Sequence, residues 1–466
     1  MKRFPVFFLD NKEWTGTIRP LQTDRGTDLE KKEFRLKYGR GEVRFDLPKE
    51  QIYLEIVGKD YPAVQDIPAV IRSALERPID SPPLKELLRP TDKVAISVSD
   101  ITRSWQRMDL VLPTLLDTIA LAGVSEDHIT VLIVVGGHRL NSEAEMEQLC
   151  GKEVCQRVKV VNHNARDLEN MVYLGKTSRG TEVSINRIAA EADRIILTGG
   201  IIYHYMVGYG GGRKSVIPGF SSINTIQQNH LWAMGRELGS GSNPNARSGK
   251  TRGNECHEDM MEIAGFIQPD FIVNVVPNAE GEFAGIFAGN WVSAWQEGTK
   301  RVDEIYGVEI PGLADIVIAS AGGFPKDINL YQTGKTMDNA SYAVKEGGAV
   351  IIVSECPDIF EPPEFPQWFQ YHSRLETEKA LREDFSIPGW VAWKEIECGD
   401  RATFIMVTLP QNADLVRKAN MLPASTMEEA LELARKACRT KEPRITMMPQ
   451  GANTLPILRP SGQGRL

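Results

Sequence analysis

A chain of 466 residues, 42% hydrophobic and 25% charged, has ordinary globular composition and is too long for one hydrophobic core, which points to two or three domains. Its net charge of -8 argues against nucleic acid or an anionic membrane as the main partner, although an acidic whole can still hold a basic pocket for a small anion. Six scattered cysteines with no CxxC pair argue against a disulfide framework and a structural zinc site, so a reducing cytoplasm is the expected location.

The opening stretch MKRFPVFFLDNKEW loses its apolar character at Asp10, Lys12 and Glu13 and carries no signal-peptide core. Nowhere does the chain reach the roughly 18 apolar residues of a membrane span. Residues 1 to about 90 are charge-rich, and the alternation in KEFRLKYGRGEVRFDL predicts a hairpin leading into the first domain. KVAISVSD (93–100) predicts a buried strand, PTLLDTIALAGV a helix, and ITVLIVVGGH (129–138) the next strand. SEAEMEQLCG predicts a helix opened by Ser142 and closed by Gly151. VKVVNHN, DRIILTGG, FIVNVV, ADIVIASAGG and GAVIIVSE continue the series of Val/Ile runs between helical patterns. Such runs belong to parallel sheets covered on both faces, so the fold class is α/β. A boundary falls near Pro311 and Gly312, ahead of a fresh strand, and the polar, glycine-rich stretch 235–254 is a candidate surface or lid loop.

In such sheets the functional loops lie at the carboxyl ends of strands, which singles out Asp100, Thr102 and Arg103, then His138, His204 and Gly322-Gly323. The densest signal is GYGGGRKSVIPG (208–219). Gly208 and Lys214-Ser215 align with a Walker A loop, but Arg213 stands where that loop needs a glycine to wrap its amides round phosphate. By itself this is a glycine-rich turn with a solvated Arg-Lys pair. Its neighbours change the reading, because His204 lies ten residues before Lys214 and His230 sixteen after it, in a chain with seven histidines. His128, His163, His257 and His372 read as core or surface histidines. Zinc-hydrolase spacing, a GxSxG elbow and a GxGxxG dinucleotide fingerprint are all missing.

SDITR, GGHR, HYMVGYGGGRKSVIPG, QQNH, HEDM and GGFPKDINLYQTGK occur in this order, and together they resemble the nickel-pincer lactate racemase family. The resemblance runs from about Lys93 to near the C-terminus, where TMEEALELARKA and RITMMPQGA also fit. It implies two α/β domains with mostly parallel sheets flanked by helices and the site in the interdomain cleft. The first domain would be 1–305, rejoined by the tail 445–466, and the second 306–444, carrying Gln332 and Lys335. The implied cofactor is a nickel-pincer nucleotide, the nickel complex of pyridinium-3-thioamide-5-thiocarboxylic acid mononucleotide, bound covalently at Lys214 with His230 as metal ligand. His138 and His204 match the acid/base pair. Asp100, Ile101, Thr102 and Arg103 match the cofactor-contacting segment, and Arg103, Gln332 and Lys335 the substrate-binding set. Partners would be a small 2-hydroxy acid and the enzymes that make the pincer.

The implied activity is racemisation or epimerisation at C2 of a 2-hydroxy acid by proton-coupled hydride transfer through a 2-keto acid. A planar keto acid can take hydride back on either face, and two enantiomers presenting their hydroxyls oppositely need two bases, which imidazoles suit. Burial and Arg213 would lower the pKa of Lys214 so that its amine can be acylated. The loop amides are expected to cradle the cofactor phosphate. Several positions depart from the family pattern: DITRS stands for DHTRP, Trp105 adds bulk, and GGFPKD for GGYPLD brings in Lys326. Trp390 matches a family tryptophan beside the substrate. These departures leave two alternatives in view, an aldonate 2-epimerase with the same site and a nickel-free phosphate- or nucleotide-binding protein.

Overall fold

The computed structural model describes residues 30–371, 373–438 and 440–459, so the N-terminal apolar stretch, His372 and the end of the C-terminal tail lie outside it. Two six-stranded sheets carry the fold. The first runs, edge to edge, Phe283–Gly289, Phe271–Pro277, Arg194–Gly200, Val94–Ser99, Ile129–Val134 and Lys159–Asn162. Only its edge strand Phe283–Gly289 is antiparallel. Helix Met108–Leu121 covers one face with Met108, Val111, Leu112, Leu115 and Ile119, the stripe a 3.6-residue period provides. Ser142 and Glu145 form a reciprocal capping box at the start of helix Glu143–Cys150, and Gly151 ends it as expected.

Strand order reverses at Val94–Ser99, which lies between Arg194–Gly200 and Ile129–Val134. At such a reversal successive connections leave on opposite sides, and a crevice opens beyond the carboxyl ends of the strands. The loops after these three strands carry Asp100 to Arg103, His138, and His204 with Lys214.

The second sheet is parallel throughout, in the order Leu422–Ala424, Thr403–Val407, Val344–Val353, Ala314–Ser320, Ile445–Met448 and Ile52–Glu55. Helix Leu330–Ser341, which carries Gln332 and Lys335, follows its central strand Ala314–Ser320. The expected hairpin forms from Lys31–Tyr38 and Gly41–Pro48, but it does not lead into the first domain. Phe34, Leu36, Phe45 and Leu47 bury against Ile316, Ile318 and Ile351 of the second sheet. Its alternating apolar face needs an apolar sheet surface, and that surface lies there. Likewise Ile445–Met448 does not rejoin the first domain; it is an inner strand of the second sheet. Leu455–Leu458 pairs with Gly307–Ile310.

The glycine-rich insertion is docked rather than loose. The Arg382 guanidinium donates to the carbonyls of Gly235 and Glu237 at 2.5 and 3.0 Å, and Gly239 N–H donates to Glu378 at 3.0 Å. Among the described residues no helix is long and apolar enough to cross a membrane.

Candidate functional site

Asp100 closes the strand Val94–Ser99 and caps the turn Ile101–Gln106. Its Oδ1 accepts from Thr102 N–H at 2.8 Å and from Thr102 Oγ1 at 2.5 Å, while Oδ2 takes His138 Nδ1 at 3.1 Å. Burial alone would raise this carboxyl, but the hydrogen bond and charge of His138, then Arg103 and Thr102, hold it well below the usual range. An ionised Asp100 makes His138 Nδ1 the donor and leaves Nε2 free. Arg103 is tied to Thr102 Oγ1 at 2.6 Å. Ile101 does not join the polar set: its N–H donates to Asn141 and its side chain packs on the core. The bulk that Trp105 adds lies against Gly200.

The glycine-rich loop wraps its own arginine. Arg213 is fully buried, and its guanidinium donates to the carbonyls of Val207, Tyr209 and Gly211 at 2.7, 2.9 and 3.3 Å while stacking 4.4 Å from the Trp295 ring. Burial pushes it down to about 9, so it stays cationic at neutral pH. Gly211 and Gly212 take φ of +65° and +57°, and a Cβ on them would stand 2.6 Å from Asn274 and 2.7 Å from Trp295. Most loop amides are already committed: Gly210 N–H to Ile202, Gly212 N–H to the Asn274 side chain, Lys214 N–H to Gly211. The expected phosphate cradle is therefore largely occupied by the loop's own bonds.

Lys214 Nζ lies 2.7 Å from His204 Nε2. Two positive charges at that distance would repel by about 6 kcal/mol at an effective dielectric of about 20. His204 Nδ1 accepts from Met206 N–H at 3.2 Å, so the proton of its neutral ring sits on Nε2 and is donated to the lysine lone pair. Both groups are thus neutral. Burial, then Lys214, Arg103, Lys335 and Arg213, push His204 well below its ordinary value. Burial, then Arg103, Arg213 and Lys335, do the same to Lys214.

His230 ends helix Ile223–His230, with its ring Nδ1–H donated to the Ile226 carbonyl at 2.8 Å and Nε2 left with a lone pair. Burial and the charge of Lys214 push it down to about 3. Asn229 beside it is clamped by Asp259, which also holds Thr177 and Thr181. From the second sheet, Lys335 donates to Gln332 Oε1 at 2.9 Å, and burial, Arg103 and Lys326 push it down to about 7. Tyr205 stacks on His204 at 5.2 Å and meets Trp390 at 5.0 Å, joining the two halves of the chain.

The structure thus brings Asp100, Thr102, Arg103 and His138 into one bonded group, His204 and Lys214 into a second, and Gln332 and Lys335 into a third. Their charges act on one another and on His230. His163 is a satisfied core histidine, bonded to Ser221 and Asn186. His128 is exposed, and His257 is buried in a stack on Trp295. Asn274, Trp295, Asn229 and Asp259 were not anticipated. Asn274 had a signal, as the single polar residue in the apolar run FIVNVV.

The family model described as the lactate racemase N-terminal domain matches residues 38–241, and the one described as the lactate racemase C-terminal domain matches 311–455. A lactate racemase of Thermoanaerobacterium thermosaccharolyticum is 33% identical over 427 residues, 90% of this chain and 98% of that protein. One from Lactiplantibacillus plantarum is 32% identical over 401 residues, 83% and 90% of the respective chains. The solved apoprotein of the T. thermosaccharolyticum lactate racemase superposes with a TM-score of 0.83 at 32% identity, covering 92% of this chain and all of that one. A Thermotoga maritima protein shares the fold at 18% identity, with a TM-score of 0.62 and coverage of 86% of this chain and all of that one.

Proposed function

Because the chain belongs to the lactate racemase family, we propose that it is an isomerase that inverts C2 of a 2-hydroxy acid by proton-coupled hydride transfer through a 2-keto acid. The observation that carries this reading is the pair of imidazoles at strand ends, His138 against Asp100 and His204 against Lys214, within the field of Arg103 and Lys335. Deprotonating C2 itself is hard because that C–H is weakly acidic. Loss of hydride with the hydroxyl proton avoids a carbanion.

The donor set fits a nickel-pincer nucleotide. His230 offers one neutral imidazole with its lone pair free, because the Ile226 carbonyl fixes the other nitrogen as donor. Lys214 offers a neutral amine for the covalent tether. Among the described residues no group of three His, Cys, Asp or Glu could hold a metal ion. When bound, the nickel-pincer nucleotide supplies the hydride acceptor.

The chain's own residues do the rest. His138 takes the hydroxyl proton of one enantiomer at Nε2 and returns it to the other product. His204 serves the other enantiomer once acylation of Lys214 removes the lone pair that holds the ring proton on Nε2 and the ring shifts to the tautomer with Nε2 bare. Asp100 keeps His138 Nδ1 protonated, so that Nε2 is the base. Arg103 and Lys335, with Gln332, hold the carboxylate while C2 becomes planar. The turn Asp100 to Arg103 shapes the cofactor side, with Ile101 anchoring it in the core. Pincer-biosynthesis enzymes supply the cofactor, and the cytoplasm is the compartment proposed. The division at 305/306 is kept in this reading, with 31–55 and 445–448 assigned to the second domain by their strand pairing and packing. The engaged loop amides weigh against a nickel-free phosphate-binding protein.

The test is intact mass with nickel analysis on protein made alongside the pincer-biosynthesis enzymes, comparing wild type with Lys214→Ala. A nickel-bearing mass increase lost in the variant supports the tether. No increase, under conditions that load a known lactate racemase, would falsify it.

A further inference from the structure

The first domain holds helix Ile223–His230 at its end, where Asn229 donates to Asp259 at 2.9 Å and His230 Nδ1 to the Ile226 carbonyl at 2.8 Å. These bonds fix the backbone and one ring nitrogen, and a ring held at a single nitrogen can still swing about that bond. The flank of the imidazole is filled from the second domain. Phe385 packs on His230 with ring centroids 5.9 Å apart at 59°, and both residues are buried, 5% and 3% exposed.

Phe385 belongs to the short link between helices Arg374–Glu383 and Ile387–Arg401. Its place is fixed on both sides. Asp384 N–H donates to the Ala380 carbonyl at 3.0 Å, ending one helix, and the Ser386 side chain accepts from Gly389 N–H at 3.1 Å, opening the next. Gln227, one turn before His230, donates to the Phe385 carbonyl at 3.0 Å and to Asp384 Oδ1 at 3.3 Å. After His230 the same two helices take the chain again: Arg382 donates to the Gly235 and Glu237 carbonyls, Glu378 accepts from Gly239 N–H, and Glu397 accepts from Ser242 N–H at 2.8 Å. The second domain therefore bonds the chain on both sides of His230 and lays one aromatic ring against the imidazole itself. An apolar ring there limits the swing of the imidazole and keeps water from that flank, two properties on which a metal bond to a single protein nitrogen depends.

We infer that Phe385 is a positioning residue for His230, through which the second domain holds the metal-binding imidazole in place. This rests on the reading of His230 as the nickel ligand. Retention of the metal then becomes a task shared by the two domains. The proposed tether at Lys214 does not involve Phe385, so the organic part of the cofactor and its nickel respond differently to loss of this ring.

The experiment uses cofactor-loaded enzyme and follows nickel lost to excess EDTA by metal analysis, with intact mass read on the same samples. Wild type is compared with Phe385→Leu, Phe385→Ala, His230→Ala and Phe369→Leu. Phe369 is buried alike in the second domain, with its ring on Phe365. Nickel is expected to leave about tenfold faster from Phe385→Ala, with Phe385→Leu between it and wild type. The tethered mass should stay in both, and Phe369→Leu should match wild type. If Phe385→Ala does not fold, Phe385→Leu decides by the same comparison. Phe385 variants that retain nickel like wild type overturn the inference, and so does Phe369→Leu losing it as fast as Phe385→Leu, which would assign the effect to domain stability. In both cases rapid loss from His230→Ala leaves the racemase reading standing. If His230→Ala keeps nickel as wild type does, the assignment of His230 as ligand falls, and this inference with it.

Discussion

At the scale of single residues, the two imidazoles are held in opposite electrostatic settings. His138 faces a carboxylate kept ionised, whereas His204 sits among cations and is held neutral. Asp100→Asn keeps the shape but presents Nδ1 with an amide, so the ring loses the partner that fixes its tautomer. Turnover of the loaded enzyme is expected to fall by about 10²- to 10⁴-fold with little change in Tm. On the proposed role of Lys335 in holding the carboxylate, this lysine sets the pH limit. Its ammonium is lost as pH rises through about 7, and a substrate carboxylate binds only the protonated form. A pH series should therefore show kcat/KM falling above about pH 7, and a flat profile to pH 9 would remove Lys335 from carboxylate binding. The histidines and Lys214 were legible as types at strand ends. The bond between Asp100 and His138 was not, because 38 positions separate them and only the pairing of their two strands brings them together.

At the scale of elements, the glycine-rich loop is organised by an interior cation rather than by a ligand. Arg213→Met would leave the carbonyls of Val207, Tyr209 and Gly211 without their buried donor. A loss of about 3 kcal/mol or more in denaturant titration is expected, with Arg213→Lys recovering part of it because an ammonium keeps the charge but not the fork. Arg213→Met also removes one of the cations that lower the Lys214 amine, so in that variant amine labelling of Lys214 should lose its unusual reactivity near neutrality and require higher pH, unlike the wild type. The strand series, the helix cap at Ser142 and the hairpin could all be read from local pattern. The inner bonding of the loop could not. Its sequence fits a phosphate cradle as well as a self-wrapped turn, and only Asn274 and Trp295, brought from distant elements, decide between them.

At the scale of the molecule, the second sheet is not a contiguous stretch of chain. Residues 306–459 made alone would expose the edge of Ile445–Met448 and the apolar face that the hairpin covers, so we expect that fragment to aggregate. Adding residues 30–56 as a separate peptide should restore solubility, which light scattering would read directly. The destination of the hairpin was illegible for the same reason, since alternation fixes which face is apolar but not which sheet receives it.

That discontinuity also sets a timetable. Ile52 pairs with Ile445, about 390 positions later. At about 5 to 20 residues per second, the earliest strand of the second sheet must wait about 20 to 80 s for its neighbour to leave the ribosome. The first sheet needs nothing from beyond residue 289 for its strands, so it can assemble during that interval. The emerging chain therefore carries the strand Ile52–Glu55 without its neighbour for most of its synthesis, and the apolar face of the hairpin uncovered until Ile316, Ile318 and Ile351 arrive, a natural client for a chaperone that shields apolar strands.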